Sequence, residues 1–349
     1  MSTTVGFIGL ANPHAMMYLE SLQELPTEVT CACELNESVN AEDFPGLDGA
    51  PIYDDIEELF TSEAVDAVWM SLPNQDTPPA IELAAEYGVD VYAEKTLART
   101  AAELEPAIDA AETAGITVVA GYQNRANAVT REMRSRVIEG FFGDLRAVEA
   151  RMITSQLGRF RDASQYSYRV DSSRGGILQW LGCHTIDMLR FMLDEPAARV
   201  NAQVEYGADG VEVEDGATVQ FELAESGALG TLQAGYYDRE YDTYIGIHGS
   251  EGRAAWSGSD TPADRDVLEL DSYTKWPVAP RRTIDYDYDD SMGYGGTIGL
   301  DYMANFLNTV EGRDSDPSLN ATIHDSLAVL RFLDAVYESA ETDEWVALE

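Results

Sequence analysis

The sequence predicts an α/β protein in which a doubly wound parallel sheet is followed by a second α/β domain with a large, open, mostly antiparallel sheet. A chain of 349 residues is too long for one small core and suits two domains. Short apolar runs alternate with amphipathic segments in the first third, whereas strand-like runs follow one another after about Gly121. We therefore expect a first domain over residues 1–121 and a second over residues 122–349.

The alternation in the first third predicts right-handed crossovers between parallel strands, with helices on both faces of the sheet. A sheet of this kind binds its ligand at the carboxyl ends of the strands. The predicted strands are Thr4–Gly9, Val29–Cys33, Val65–Met70, Val89–Ala93 and Ile116–Ala120, and the predicted helices are His14–Leu25, Ile56–Phe60, Pro79–Tyr87 and Ala101–Ala114.

After Gly121 the pattern changes to strands joined by short turns, which is typical of an antiparallel sheet. The acidic run Asp285–Asp290 is interpreted as a solvated edge without a function. The predicted helices are Val129–Glu139, Leu181–Leu193, Gly299–Val310 and Ala321–Ser339, and the predicted strands are Leu145–Ile153, Arg199–Tyr206, Ala217–Leu223, Gly227–Tyr236, Tyr244–His248 and Arg253–Trp256.

Acidic residues greatly outnumber basic ones, with 63 Asp and Glu against 22 Lys and Arg and a net charge of −41. Nucleic acids and anionic membranes need cationic contacts, so we exclude both as partners. The acids are spread along the whole chain, which predicts a hydrated surface suited to molar salt, where charge repulsion is screened over roughly 3 Å. The alternative reading of this composition is a mimic of nucleic acid.

The three cysteines, Cys31, Cys33 and Cys183, show no paired metal spacing, and we expect no metal site. Cys31 and Cys33 alternate along a predicted strand and would face one side of the sheet as small core residues. The first residues lack the basic start and apolar run of a signal peptide. No apolar stretch approaches the roughly 18 residues of a membrane span. We expect a cytoplasmic protein.

The first candidate site is the segment Gly9–His14, between the first predicted strand and helix. A dinucleotide loop needs backbone amides and a helix N-terminus aimed at the pyrophosphate. Only the first glycine of G-x-G-x-x-G is present, because Ala11 and His14 occupy the other two positions, so an ordinary turn is the alternative. Glu34 ends the second strand, where a carboxylate accepts hydrogen bonds from the adenosine ribose and repels a 2′-phosphate. This favours NAD over NADP, unless Glu34 is one more surface acid.

The second candidate site is Glu94-Lys95, directly after the fourth predicted strand. Lys95 and Lys275 are the only lysines in the chain, so we expect each of them to have a specific role. At this sheet edge a lysine can hold a substrate hydroxyl and tune the loss of its proton as hydride leaves. The alternative is an ordinary surface lysine.

The third candidate site is Gly175–Asp187, which contains His184 and Asp187 three residues apart. On a helix these two side chains share a face. A histidine with a near-neutral pKa can pass a substrate proton onward. The alternative is a core histidine, and we interpret His248 and His324 as structural.

The chain resembles the Gfo/Idh/MocA oxidoreductases over nearly its whole length. The Glu-Lys pair combined with Gly-x-His-x-x-Asp is the specific part of this resemblance, and the nucleotide loop is not specific. The matching segments, in the order of the family, are Val5–Gly9, Leu72–Asn74, Gly88–Ala98, Gly121–Arg125, Gly175–Asp187, Ile245–Gly252 and Asp301–Val346.

The resemblance implies an N-terminal Rossmann domain and hydride transfer between NAD(P) and a sugar, inositol or similar polyol, without a metal. It also implies a homodimer or homotetramer that pairs through the large sheet. Lys95 would be the catalytic lysine and His184 the catalytic histidine. The residues that would line the cofactor are Gly9, Ala11, Asn12, Pro13, His14, Glu34, Leu72, Pro73, Asn74, Glu94, Lys95 and Gln123.

Three positions depart from the family pattern. Trp180 replaces an Asp of the proton relay and would place a flat apolar wall beside the substrate, while Thr96 replaces a proline and Thr77 a histidine. A tryptophan at this position can also stack on a sugar ring. The expected substrate contacts are Tyr166, Tyr168, Arg169, Trp180 and Asp187.

These observations lead to three functional hypotheses. The first is an NAD-dependent sugar or polyol dehydrogenase, or the reverse reductase, and it depends on Glu34, Lys95 and His184 together. The second is a non-catalytic NAD-binding sensor of the same fold, suggested by Trp180 and the eroded glycine loop. The third is a fold relative with different chemistry, such as glycoside cleavage through transient oxidation by NAD.

Overall fold

The computed structural model describes residues 2–36, 39–161, 170–237, 241–258, 266–275, 281–286 and 293–348. The chain divides into two compact units. The first unit comprises Met1–Ala126, Asp171–Ser173 and Asp290–Ala328, and the second comprises Asn127–Val170, Arg174–Asp289 and Val329–Glu349. Asp290–Ala328 therefore groups with the N-terminal residues, which the sequence did not predict. The domain boundary after residue 121 stays a prediction.

The first unit contains a six-stranded parallel sheet with the strand order β3-β2-β1-β4-β5-β6. The central strand β1 pairs with β2 on one side and with β4 on the other, so the chain changes direction across the sheet between β1 and β4. Ligands of doubly wound sheets bind at this switch point. The strands are β1 (Thr3–Ile8), β2 (Thr27–Cys33), β3 (Ile52–Tyr53), β4 (Ala67–Met70), β5 (Asp90–Ala93) and β6 (Val118–Ala120).

The helices begin and end at residues that suit those positions. The Asp55 side chain accepts a hydrogen bond from the Glu58 amide at 2.9 Å and caps α2, and Gly115 ends α4 with a φ of 73° that glycine adopts without strain. The helices are α1 (Ala15–Glu24), α2 (Ile56–Ser62), α3 (Thr77–Tyr87), α4 (Ala101–Ala114), α5 (Ala128–Ile138), α6 (Val170–Ser173), α7 (Cys183–Leu193), α8 (Gly296–Val310) and α9 (Ile323–Thr342).

The second unit contains a nine-stranded sheet with the order β14-β13-β12-β11-β7-β10-β9-β8-β15. Neighbouring strands are antiparallel except for the pair β7 and β10, which is parallel. The strands are β7 (Leu145–Ile153), β8 (Ala197–Glu205), β9 (Gly216–Leu223), β10 (Leu229–Gly235), β11 (Asp242–Gly249), β12 (Gly252–Gly258), β13 (Asp266–Ser272), β14 (Arg281–Tyr286) and β15 (Val346–Ala347).

One face of this sheet is apolar and buried, and the other is polar. Along β9, Val219 and Phe221 are buried while Thr218 and Gln220 are exposed. Phe221 meets Phe332 of α9 edge to face, with ring centroids 6.1 Å apart. The period-two alternation therefore sets which face of the sheet packs on helices.

The predicted fold class is confirmed, and the short or charged elements were missed. The sequence analysis assigned no strand to β13 or β14, although Leu268 and Leu270 alternate with acidic residues in β13, while β14 is mostly polar. Their charges pair across the sheet, as Arg253 Nη1 and Asp271 Oδ2 lie 2.9 Å apart and Arg281 Nε and Asp271 Oδ1 also 2.9 Å apart. Cys31 and Cys33 are buried on β2, as expected.

Two further expectations concern membranes and metals. No helix in the described part of the chain is both long enough and apolar enough to cross a membrane. The described residues contain no cluster of three or more His, Cys, Asp or Glu side chains that would hold a metal ion.

Candidate active site

Gly9 follows β1 at the switch point of the first sheet and must be glycine. Its φ is +95°, and a Cβ built on it would lie 2.6 Å from the Ser71 carbonyl oxygen. The Gly9 amide donates to the Cys33 carbonyl at 2.9 Å. The loop therefore packs closely against the ends of β2 and β4. Because Gly9 has no side chain, a ligand can approach the main chain of the loop.

Asn12 shapes the turn that leads into α1. Its Oδ1 accepts from the His14 amide at 2.9 Å, and its carbonyl accepts from the Ala15 amide at 3.0 Å. His14 at the N-cap makes no side-chain capping bond within the described structure, and the first turn holds no acidic residue. The N-terminus of α1 therefore keeps the positive polarity that stabilises a pyrophosphate.

The Glu34 carboxylate is tied to the nucleotide loop. Its Oε2 accepts from the Ala11 amide at 2.6 Å, and its Oε1 accepts from the Asn36 amide at 2.7 Å. A carboxylate oxygen has two lone pairs, so each oxygen can accept one more hydrogen bond. This carboxylate is held beside the loop and can accept hydrogen bonds from ribose hydroxyls.

Lys95 lies just past β5 and is only 6% exposed, so the interpretation as a surface lysine is wrong. The preceding Glu94 continues the sheet, because its amide donates to the Met70 carbonyl at 2.8 Å. The Lys95 amide donates to Glu94 Oε2 at 3.2 Å, and the bond between Lys95 and Thr96 is cis. A buried ammonium at the carboxyl end of a parallel strand is well placed to bind a polar substrate.

The loop after β4 contains the other predicted cofactor residues of this unit. The amide of Asn74 donates from Nδ2 to the Ser173 carbonyl at 3.4 Å, and the Thr77 hydroxyl donates to the Pro73 carbonyl at 3.0 Å. Thr77 is the first residue of α3. Leu72 is buried beside Gly9, whose Cβ would lie 3.2 Å from the Leu72 amide nitrogen.

Gln123 is buried at the start of a 3₁₀ turn, Gln123–Ala126. Among the residues that the structure describes, none hydrogen-bonds its Oε1, although this atom is inaccessible to solvent. A buried acceptor without a protein donor fits a ligand that supplies an N–H. Together with Gly9, Glu34 and α1, it fits a nicotinamide dinucleotide.

The second unit contains the other proposed catalytic side chain. His184 and Asp187 both lie on α7, one helical turn apart, and both are buried. Trp180 is half-buried in the π-helical turn Leu178–Gly182 that leads directly into α7. The sequence predicted a helix over Leu181–Leu193, whereas the structure has a wider π-helical turn at Leu178–Gly182 and begins the regular helix at Cys183. The role of His184, as a proton acceptor or as a core histidine, stays a prediction.

Glu214 organises the segment before this helix, and the sequence did not indicate it. Its carboxylate accepts from the amides of Gly176 at 2.7 Å and Leu178 at 3.0 Å, and from the Tyr337 hydroxyl at 3.0 Å. Burial raises the pKa of the Glu214 carboxyl, and these hydrogen bonds oppose the shift. In a chain with 63 acidic residues, nothing in the sequence marks one Glu as buried.

Tyr294 is a second residue that the sequence analysis missed. Its ring lies 4.4 Å from the His14 ring and 4.6 Å from the Tyr18 ring, between centroids. The glycines around it, Gly-Tyr-Gly-Gly at 293–296, would have been a usable signal for a loop before α8. Three predicted substrate contacts, Tyr166, Tyr168 and Arg169, lie outside the described residues.

Comparison with known families decides the relationship. Residues 3–122 match the family described as "Oxidoreductase family, NAD-binding Rossmann fold", and residues 130–255 match the "GFO/IDH/MocA C-terminal domain". The chain belongs to the Gfo/Idh/MocA oxidoreductase family. The resemblance drawn from Glu94-Lys95 and Gly-x-His-x-x-Asp is confirmed, and this Gfo/Idh/MocA protein has the parallel nucleotide-binding sheet typical of the family.

Individual relatives of this Gfo/Idh/MocA protein are distant enzymes. D-xylose 1-dehydrogenase [NADP(+)] of Haloarcula marismortui is 25% identical over 312 residues, which are 88% of this chain and 82% of that protein. D-xylose 1-dehydrogenase (NADP(+)) 2 of Haloferax volcanii is 25% identical over 347 residues, 99% of each chain. A crystal structure of an oxidoreductase domain protein from Kribbella flavida superimposes with a TM-score of 0.84 at 23% identity, covering 100% of both chains, which supports the fold.

Proposed function

We propose that the protein transfers a hydride between a nicotinamide dinucleotide and a C–OH group of a sugar or polyol. The observation that supports this best is the buried Lys95 beside Glu94 at the carboxyl end of β5. The names of the two xylose dehydrogenases support a sugar substrate. In a chain with two lysines, a buried one at this edge has a chemical purpose rather than a solvating one.

The proposed roles follow from the chemistry of each side chain. Lys95 donates a hydrogen bond to the substrate oxygen and lowers the cost of losing its proton. His184 accepts that proton, since a neutral imidazole is a base near neutral pH. The bound dinucleotide supplies the hydride acceptor or donor. Trp180 replaces the family's Asp, so in this proposal the relay has one carboxylate fewer.

We propose NAD as the cofactor in preference to NADP, although both named xylose dehydrogenases carry NADP(+) in their names. The support is Glu34, whose carboxylate is held beside the loop by the amides of Ala11 and Asn36. A carboxylate at this position accepts hydrogen bonds from the ribose hydroxyls, and its negative charge repels a 2′-phosphate.

The test is a turnover assay in molar KCl, after titration with NADH and NADPH read by energy transfer from the tryptophans. A panel of aldoses and polyols is then screened with the preferred cofactor. Lys95→Ala should lower kcat by about 10²-fold or more. Lys275→Ala is the matched control, because Lys275 donates to the Gly140 carbonyl at 3.2 Å in the second unit.

Two results would overturn the proposal. Binding of neither dinucleotide would mean that Ala11 and His14 close the loop to a cofactor. If Lys95→Ala turns over an identified substrate as fast as the parent and the Lys275→Ala control do, Lys95 has no part in the mechanism.

We also propose that two copies of the chain pair through the polar face of the large sheet. Across its centre, neighbouring strands align neutral side chains, which is unusual in a chain of net charge −41. Only Arg151 in one row and Glu149 and Glu269 in the next carry charge. The two rows are Gln203, Thr218, Gln233, Arg151, Tyr244, Ser257 and Val267, and Asn201, Gln220, Thr231, Glu149, Gly246, Ala255 and Glu269.

Light scattering with size exclusion in molar KCl tests this pairing. Thr218→Glu, whose strand neighbours Gln203 and Gln233 are neutral, should convert a dimer or tetramer into smaller species, because burying an unpaired carboxylate costs several kcal/mol even when salt screens long-range repulsion. Gln23→Glu, on the exposed part of α1, is the control. A monomeric parent protein, or a Thr218→Glu variant of unchanged mass, would contradict the proposal.

A further inference from the structure

His14 occupies the third glycine position of the nucleotide loop, and its side chain is bonded to the catalytic segment. His14 Nδ1 lies 2.8 Å from Glu94 Oε1, and both side chains are largely buried. An ionised carboxylate only accepts hydrogen bonds, so the ring nitrogen is the donor. The loop after β1 is thereby joined to the residue that precedes Lys95.

Glu94 uses its two carboxylate oxygens for two different partners. Oε1 accepts from His14, and Oε2 accepts from the amide of Lys95 at 3.2 Å. With both oxygens engaged, the carboxylate cannot rotate without losing a bond. His14 therefore fixes the orientation of the group that holds the Lys95 backbone.

The next peptide is anchored from the other side. Ser326 Oγ donates to the Thr96 carbonyl at 2.6 Å, and the Thr96 hydroxyl donates to the Ala98 carbonyl at 2.8 Å. Lys95 thus stands between an anchor at Glu94 and an anchor at Thr96. Loss of either one would let the ammonium move, and a displacement of about 1 Å can cost about 10²-fold in rate.

Tyr294 holds the His14 ring in place. The two ring planes are inclined by 31° with centroids 4.4 Å apart, which is contact distance for aromatic rings. The Tyr294 amide donates to Ser21 Oγ at 3.0 Å, and a Cβ on Gly293 would lie 2.1 Å from that same oxygen. The backbone beside Tyr294 is thereby set against α1.

We propose that His14 is a positioning residue for Lys95, acting through Glu94 and held by the ring of Tyr294. This inference rests on the proposed function, because it assumes that Lys95 acts on the substrate. The imidazole that replaces a glycine of the nucleotide loop is then a part of the catalytic arrangement and not an erosion of the cofactor site.

The experiment compares His14→Leu, His14→Asn and His324→Leu by steady-state kinetics and NADH titration. Leu removes the donor, whereas Asn Nδ2 stands as many bonds from Cα as His Nδ1 and can still reach Glu94. His324 is the matched control, since its Nε2 lies 2.9 Å from Glu112 Oε1 in an exposed pair of the same unit. We expect His14→Leu to lower kcat about 10- to 100-fold, with NADH affinity changed less than about threefold. Asn should restore most of the rate.

The outcomes separate the inference from the proposed function. If the parent protein neither binds NADH nor turns over a substrate, the proposed function itself is wrong. An active parent whose His14→Leu variant matches His324→Leu in kcat would overturn the inference alone. So would equal losses of NADH affinity and kcat without rescue by Asn, because His14 would then act on the cofactor. If His14→Leu does not fold, Tyr294→Ala and Tyr294→Phe replace it, and equal kcat for both would overturn the inference.

Discussion

At the scale of single residues, the two lysines show how a strongly acidic chain uses its few ammonium groups. Lys275 donates to the Gly140 carbonyl just beyond the end of α5 and lies over the Phe141 ring, with Nζ 5.7 Å from its centroid. A cation at the C-terminal end of a helix is stabilised by the helix dipole. Lys95 instead lies buried just past the end of β5. The two lysines therefore differ in setting: one lies beyond a helix end, and the other lies in the buried segment of the proposed active site.

Glu34 belongs to the same scale, because in the proposed function its single charge sets the preference for NAD over NADP. Glu34→Gln removes the charge and keeps one oxygen acceptor for the loop. We expect the ratio of NADPH to NADH affinity to rise by about 10-fold or more, which corresponds to about 1.4 kcal/mol. Fluorescence titration with both dinucleotides measures this ratio.

The control for this substitution is Glu28→Gln, an exposed acid on β2, the strand that Glu34 follows. An equal rise in both variants would mean that the net charge of the surface, and not the carboxylate beside Ala11, sets the preference. An unchanged ratio in Glu34→Gln would remove Glu34 from the ribose site.

At the scale of elements, the glycine pair before α7 is explained by packing. A Cβ on Gly175 would lie 2.1 Å from the Tyr337 hydroxyl oxygen, and one on Gly176 would lie 2.0 Å from the Glu214 carbonyl oxygen. The Ile177 amide donates to that same carbonyl at 3.1 Å. Only glycine permits this close approach, and the approach fixes the start of the turn that contains Trp180.

Gly176→Ala should therefore destabilise the second unit strongly. The added methyl group meets backbone, which cannot move aside as a flexible side chain can, so we expect a loss of about 3 kcal/mol in the free energy of unfolding. Thermal or urea unfolding measures this loss. Gly158→Ala is the matched control, because a Cβ there meets no atom within 4 Å. Equal stability of the two variants would contradict the packing argument.

The buried Glu214 makes the stability of this segment depend on pH. Its pKa is raised in the folded protein, first by burial, so its contribution is fully present below the ordinary Glu pKa and is lost as pH rises through the folded value. The amide of Glu214→Gln does not titrate. We expect the free energy of unfolding of the parent, relative to this variant, to be highest at acidic pH and to fall as pH increases above about 4.3.

Urea unfolding of both proteins between pH 4 and 8 in the same salt tests this dependence. The other acidic groups are common to both proteins, so their titration cancels in the difference. If the difference in the free energy of unfolding is constant with pH, or grows as pH rises, the pKa of Glu214 is not raised in the folded protein.

At the scale of the whole molecule, the net charge of −41 dominates. Many arginines are used in ion pairs, such as Arg151 Nε with Asp242 Oδ2 at 2.7 Å and Arg199 with Glu222. Because the chain has only 22 Lys and Arg, these cannot balance the charge of its 63 acids. Repulsion among them opposes the compact state in dilute salt. We propose high salt as the working environment, because salt screens this repulsion.

This repulsion predicts a stability that rises with salt. Between about 0.1 and 1 M KCl the screening length falls from roughly 10 to 3 Å, and we expect Tm to increase by about 5 °C or more. Differential scanning fluorimetry measures the change. Screening depends on ionic strength, whereas exclusion from the surface differs between chloride and sulfate. A Tm that rises only in potassium sulfate, and not in KCl, would contradict the electrostatic explanation.

The sequence by itself determined the fold class, the family and the segments that hold the proposed site. Alternating apolar runs, Glu34 at a strand end and the pair Glu94-Lys95 are local patterns, and local patterns are set by the periods of strands and helices. Gly9 is another such case, since a glycine directly after a buried strand predicts a close approach of the backbone.

Only the tertiary structure decided which residues support these segments. Glu214 meets Gly176, Tyr294 meets His14, and Ser326 meets Thr96, in each case across a long separation in sequence. A single sequence carries no record of such contacts, because they depend on how elements pack and not on the period within one element. In a chain this acidic, burial is what distinguishes Glu94 and Glu214 from the many acids at the surface, and burial is a property of the folded molecule.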